Sequence, residues 1–185
     1  MFKFMKRTLA TVLTATLVLA APVSAATSPA TAPVAETKVN VKVTAPNKSV
    51  SKVTVDIKKD GTAALDSVTS KKKSVSIPSK VTVNGVKYKV TKLNANALKN
   101  CKKATKVTIP DSITTINKNA FKGAENLKTI KLNTKKNITV KKGAFKGLST
   151  KKVTIKVNKN ISDKNLKKLQ KTLKKAGFKG KVKKS

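Results

Sequence analysis

The sequence predicts a β-rich array of short stacked units, closed at its C-terminal end by a single helix. Three observations lead there. One segment recurs: "KVTKLNANALKNCKKATKVTI" at residues 89–109, "SITTINKNAFKGAENLKTIKL" at 112–132 and "NITVKKGAFKGLSTKKVTIKV" at 137–157. Apolar residues alternate with period two before and within the recurring segment, as on half-buried strands. The final stretch switches to a helical stripe with a capping residue ahead of it.

Taken in chain order, the first element is a leader. Lys3, Lys6 and Arg7 precede the apolar run "LATVLTATLVLAA", Pro22 breaks it, and "VSA" ends at Ala25. These are the three parts of a secretory signal over residues 1–25. The run is shorter than the roughly 20 residues that span a bilayer. Residues 26–37, with "TSPATAPVAET", read as an exposed linker.

Residues 38–75 read as a small β-rich region, either a module of its own or a lid on the array. "KVNVKVT" puts Val39, Val41 and Val43 on one face, and "KVTVDI" does the same for Val53, Val55 and Ile57. "APNK" and "KKDG" mark turns. The lysines at 71–73 form a solvated loop. Beyond it, Asn84-Gly85 sits between alternating apolar residues in "KVTVNGVKYKV", the pattern of a two-residue β-hairpin.

Residues 76–160 hold the repeats, about three rungs. Ala97, Ala120 and Ala144 align, followed by Leu98, Phe121 and Phe145, then by Cys101, Ala124 and Leu148. Ala104, Leu127 and Thr150 come next, then Val107, Ile130 and Val153, then Ile109, Leu132 and Ile155. A unit this short cannot cover its own apolar face. Stacked units can, each rung burying the equivalent residues of its neighbours. Gly123, Gly143 and Gly147 supply turns, and the alanines suit a close backbone approach. Three amphipathic helices are the competing reading, but Gly123 and Gly147 interrupt them and "KTIKL" alternates with period two. The period and the "LxxIxL" spacing predict a leucine-rich-repeat solenoid, with short turns and 3-10 segments between strands.

At these residues the chain resembles the BspA-like leucine-rich repeat of exported bacterial proteins. Ile109-Pro110, Ile113, Ile116, Ala120-Phe121 and Ala124 carry the likeness. Rung one departs from it with Leu98, and rung three lacks the proline. Cys101 falls where such repeats often carry cysteine, which implies a buried thiol. The resemblance implies a surface or secreted binding module, similar to adhesins, and leaves the ligand open.

Residues 161–185 are predicted to be a capping helix and a basic tail. Ser162 is a good N-cap with Ile161 as a staple. Leu166, Leu169, Leu173 and Ala176 form the stripe, Gly177 the stop, and Phe178 can fold back on the last turn. The stripe is narrow and holds no aromatic residue, so a cap explains it without a membrane.

The charge is extreme. The chain has 43 Lys and Arg against 7 Asp and Glu. Without the three basic residues of the leader, 40 against 7 leaves a net +33. Arg7 is the one arginine, so the exported part is cationic through lysine alone. Lysine is a hydrated point charge suited to salt-sensitive attraction of polyanions, not to bidentate base reading. There is no histidine, and the single cysteine has no imidazole to activate it. The seven acids form no catalytic pair in sequence. No enzyme activity, cofactor or metal is expected.

If Val107/Ile109, Ile130/Leu132 and Val153/Ile155 point inward, their neighbours point out. The outward columns are then Lys106, Thr129, Lys152 and Thr108, Lys131, Thr154, an alternation that keeps lysines apart. These six form the candidate ligand-binding face. The expected partner is an acidic protein, glycan or wall polymer, with weak salt-sensitive nucleic-acid binding besides, and the protein is expected to be a monomer. Two alternatives are a cationic matrix or wall-associated protein held by charge, and a membrane-active protein using its C-terminal helix.

Overall fold

The computed structural model describes residues 38–41 and 49–185. The leader, the 26–37 linker, Val43 and the 45–48 turn lie outside them. The described strands are β1 (Lys38–Val41), β2 (Lys52–Ile57), β3 (Thr62–Thr69), β4 (Ser74–Ser76), β5 (Lys80–Val83) and β6 (Val86–Leu93). They continue with β7 (Lys106–Ile109), β8 (Thr115–Ile116), β9 (Thr129–Leu132), β10 (Thr139–Val140), β11 (Thr154–Val157) and β12 (Lys181–Lys184). Among the described residues there is one α-helix, α1 (Asp163–Lys175).

The strands form two sheets. One is parallel throughout, in the order β12-β11-β9-β7-β4. The other runs β1-β2-β3-β6-β8-β10, with β5 paired to β6. Its β1, β2, β3 and β5, β6 neighbours are antiparallel, whereas β3-β6, β6-β8 and β8-β10 are parallel. Successive passes of the chain therefore add one strand to each sheet. In the first sheet Val75, Val107, Ile130, Ile155 and Val182 fall in register. In the second, Leu65, Leu93, Ile116 and Val140 do. Apart from the partly buried Val182, all of these are buried in one continuous core. Each such side chain contributes about 1.5–3 kcal/mol by leaving water.

Tight turns link the sheets, and they stack as well. Asn96, Asn119 and Gly143 take left-handed φ of 62°, 61° and 76°, a conformation open to glycine and tolerated by asparagine. Their N–H groups donate down the stack, Asn96 to the Asn119 carbonyl (3.0 Å), Asn119 to that of Gly143 (3.0 Å) and Gly143 to that of Ala176 (3.1 Å). Ala97, Ala120 and Ala144 are wholly buried beside them. The Phe121 and Phe145 rings lie one above the other, centroids 5.1 Å apart and 17° from coplanar. Phe178 closes that column on Phe145 at 5.2 Å.

The helix has the predicted caps. The Ser162 hydroxyl accepts from the Asn165 N–H at 3.3 Å. At the other end Phe178 N–H donates to Leu173 and Gly177 N–H to Lys174, both at 3.0 Å, with Gly177 at φ 96°. This pair of bonds is a Schellman closure. Leu169, Leu173 and Ala176 are buried. Asn84 and Gly85 both have positive φ and join β5 to β6, as the hairpin reading requires.

Three sequence readings are corrected. β3 was not anticipated, because Ala63, Ala64 and Leu65 are all buried and show no alternation. The basic tail contains β12, whose single apolar residue, Val182, gives almost no periodic signal. Finally, the third unit pairs Ile155, not Val153, with Ile130, and Val157 with Leu132. Ala120 precedes Ile130 by ten residues, but Ala144 precedes Ile155 by eleven. A 3-10 turn at Thr150–Lys152 takes up the difference before the strand starts.

Candidate functional site

The outward face of the parallel sheet is set by strand alternation. With Val107 and Ile109, Ile130 and Leu132, Ile155 and Val157 buried, the residues between them point away from the core. Register then defines two columns. One is Ser74, Lys106, Thr129, Thr154, Lys181, and the other is Ser76, Thr108, Lys131, Lys156, Lys183. Lys106, Lys156, Lys181 and Lys183 are exposed, while Thr108, Thr129, Lys131 and Thr154 are half-buried.

Five of the six residues named from sequence therefore share this face: Lys106, Thr108, Thr129, Lys131 and Thr154. Lys152 does not join either column. It ends the 3-10 turn, where its N–H donates to the Ser149 carbonyl at 2.9 Å. Lys156 takes the place beside Lys131 instead. The sequence alternation of lysine and threonine is thus replaced by lysine on three adjoining strands, Lys131, Lys156 and Lys183. The signal for Lys156 was present in "TIKV", which alternates as cleanly as "TIKL". Nothing comparable marks Lys181 and Lys183.

A second feature lies on the other sheet. Asn94 and Asn117 occupy equivalent positions just past β6 and β8, and the amide of Asn117 donates to the Asn94 side-chain oxygen at 3.0 Å. The Asn94 amide in turn donates to Asp66 at 2.5 Å, with Asp56 at 3.4 Å. The ladder crosses a shallow concavity of about 730 Å³ that Lys118, Lys141 and Lys142 line at its far end. Its hydrogen bonds tie consecutive units together, which accounts for the asparagines without a ligand.

The shifted titratable groups each have a local cause. Burial pushes the Cys101 thiol up to about 11, and its Sγ lies 3.3 Å from the Val68 carbonyl oxygen. A thiol in that state is a poor nucleophile. Asp163 is held below the usual carboxylate range by its hydrogen bond and ion pair with Lys184, 2.7 Å away. The Thr62 hydroxyl and N–H lower Asp60 in the same sense. Among the described residues, no three of His, Cys, Asp and Glu gather closely enough to hold a metal ion. No described helix is long and apolar enough to cross a membrane.

Comparison with known proteins places the recurring units in a family. Residues 69–174 match the BspA type Leucine rich repeat region in 6 copies, which is more than half of the chain. None of the curated proteins matches it. Among solved structures, a leucine-rich repeat protein from Bacteroides capillosus is 28% identical, with a TM-score of 0.51 over 66% of this chain and 84% of that one. A leucine rich cell surface protein from Faecalibacterium prausnitzii is 22% identical, with a TM-score of 0.47 over 64% of this chain and 37% of that one. The pneumococcal vaccine antigen PcpA is 19% identical, with a TM-score of 0.44 over 67% of this chain and 34% of that one. With its recurring units, their in-register strands and the match over residues 69–174, the chain belongs to the BspA type leucine-rich repeat family.

Proposed function

We propose that this protein is an exported, non-enzymatic binding module, a short solenoid that acts at the cell surface or beyond it in the manner of an adhesin. Its ligand is an acidic partner, met by the lysine and threonine face of the parallel sheet. The observation that carries this reading is the composition of the two outward columns. They hold five lysines, three threonines and two serines, and no carboxylate. Such a face attracts anions, offers hydroxyls for hydrogen bonds, and gives an apolar partner nothing to bury against. The leader of residues 1–25 supports export. The raised thiol pKa and the lack of histidine weigh against catalysis.

The test is retention of the chain from residue 26 onward on bacterial and host surface fractions across a salt series. A protein bearing Glu at Lys106, Lys131 and Lys156 is compared with one bearing Glu at Lys167, Lys171 and Lys174 of α1. The face variant should lose retention at lower salt than the helix variant. Equal loss would support general retention by charge in place of a defined face.

A further inference from the structure

The register places Lys131, Lys156 and Lys183 side by side on β9, β11 and β12, with Lys181 in the neighbouring column beside Thr154. Neighbouring strands are about 4.8 Å apart, so three ammonium groups span about 10 Å along the direction in which the units stack. Like charges facing each other on adjoining strands oppose folding. No residue of either column is acidic. Asp163, the carboxylate that approaches the edge strand, is engaged by Lys184 on the adjacent position. The face is also graded. Its β4 end carries Ser74 and Ser76, and its β12 end carries Lys181 and Lys183.

We propose that the β9-β11-β12 end of this face seats a linear, hydroxyl-bearing polyanion, a polyol or sugar polymer with phosphate or sulfate groups, laid across the strands. The inference rests on the reading of the face as an anion-binding surface and narrows its ligand. A row of lysines at strand spacing meets several charges of one chain, where a compact anion meets one or two. The flanking threonines, Thr108, Thr129 and Thr154, can exchange hydrogen bonds with ligand hydroxyls. Nucleic acid fits less well. Among the described residues the aromatic rings, Tyr88, Phe121, Phe145 and Phe178, are all buried, leaving no platform for stacked bases. The face has no arginine for bidentate contacts to base edges. An acidic protein fits less well too, because neither column offers an apolar anchor.

The experiment measures binding of the chain from residue 26 onward as a function of salt. The probes are poly(glycerol phosphate), a sulfated glycan, linear polyphosphate and oligo-dT of similar charge. Wild type is compared with K131Q/K156Q/K183Q and with a control of equal charge change, K122Q/K146Q/K167Q, thermal melts confirming that each is folded. Each lysine that contacts the polymer contributes about one to the slope of log K against log salt. The row variant should lower that slope by about three and weaken binding about 10-fold or more near 0.1 M salt, with the control close to wild type. Comparable losses in both variants would overturn the localised site while leaving general anion attraction intact. No binding of any polymer by wild type would instead defeat the underlying reading of the face. Tighter binding of poly(glycerol phosphate) or of the sulfated glycan than of polyphosphate and oligo-dT is the expected result. Polyphosphate binding equally well would overturn the hydroxyl requirement, and tighter binding of oligo-dT would replace the proposed occupant with nucleic acid.

Discussion

Gly123 and Gly147 hold equivalent places three residues after the stacked alanines, yet their surroundings differ. Both have left-handed φ, 88° and 90°. A Cβ on Gly123 would lie 2.8 Å from the Lys99 Cα, inside contact distance, whereas one on Gly147 would lie 3.8 Å from the Lys122 Cα. Backbone strain alone predicts a loss of about 1–3 kcal/mol for Gly147→Ala. Gly123→Ala adds a backbone clash and should lose clearly more, read as a lower urea midpoint. Equal midpoints would mean the turns do not approach as closely as described. Cys101 offers a second residue-scale test. Its raised pKa means that folding favours the neutral thiol. Stability from this group is complete below the unfolded value near 9 and is lost as pH rises toward 11. The stability difference between wild type and Cys101→Ala should therefore narrow over that interval. At pH 8 the folded protein should resist iodoacetamide, and the urea-unfolded protein should react. The sequence already marked both sites, the glycines by their recurrence and the cysteine by its alignment with Ala124 and Leu148. It carried no sign that one glycine is more confined than the other, since that depends on the backbone of the preceding unit.

At the scale of elements, the helix and its cap were legible because their chemistry is local. Ser162, the apolar stripe, Gly177 and Phe178 each act within a few residues of one another. Ser162→Ala should destabilise by about 1 kcal/mol through loss of the N-cap bond. Phe178→Ala should do so by about 3–5 kcal/mol, because the ring closes the column above Phe145. Thermal or urea melts measure both. β3 and β12 were hidden for opposite reasons. β3 is covered on both sides at its centre, so its pattern is continuous. β12 lies at a sheet edge and needs only Val182 to dock. Lys156 gives the element-scale test of electrostatics. With Lys131 on one side and Lys183 on the other, Lys156→Thr should stabilise the free protein by about 0.2–1 kcal/mol at low salt. At 1 M salt the gain should fade. A destabilised variant at low salt would contradict the repulsive row.

For the whole molecule, recurrence was the strongest signal in the chain, because stacking demands that equivalent positions stay equivalent. Ala97, Ala120 and Ala144, or Leu93, Ile116 and Val140, keep their places while the loops between them vary. The outward face was less legible for the same reason. A single residue absorbed in the Thr150–Lys152 turn moves Val153 out of the row, puts Lys156 on the face in place of Lys152 and shifts Thr154 into the neighbouring column. Periodicity shows that units recur, but it found about three where the family match has 6 copies, and only hydrogen-bond register decides which lysines become neighbours. That register underlies both the proposed ligand class and its orientation. Amide chemical-shift mapping with a short poly(glycerol phosphate) at low salt examines it most directly. Perturbations should concentrate on β9, β11 and β12, centred on Lys131, Lys156 and Lys183, and fade toward β4. Shifts spread evenly over the lysines of α1 and the turns would contradict that placement.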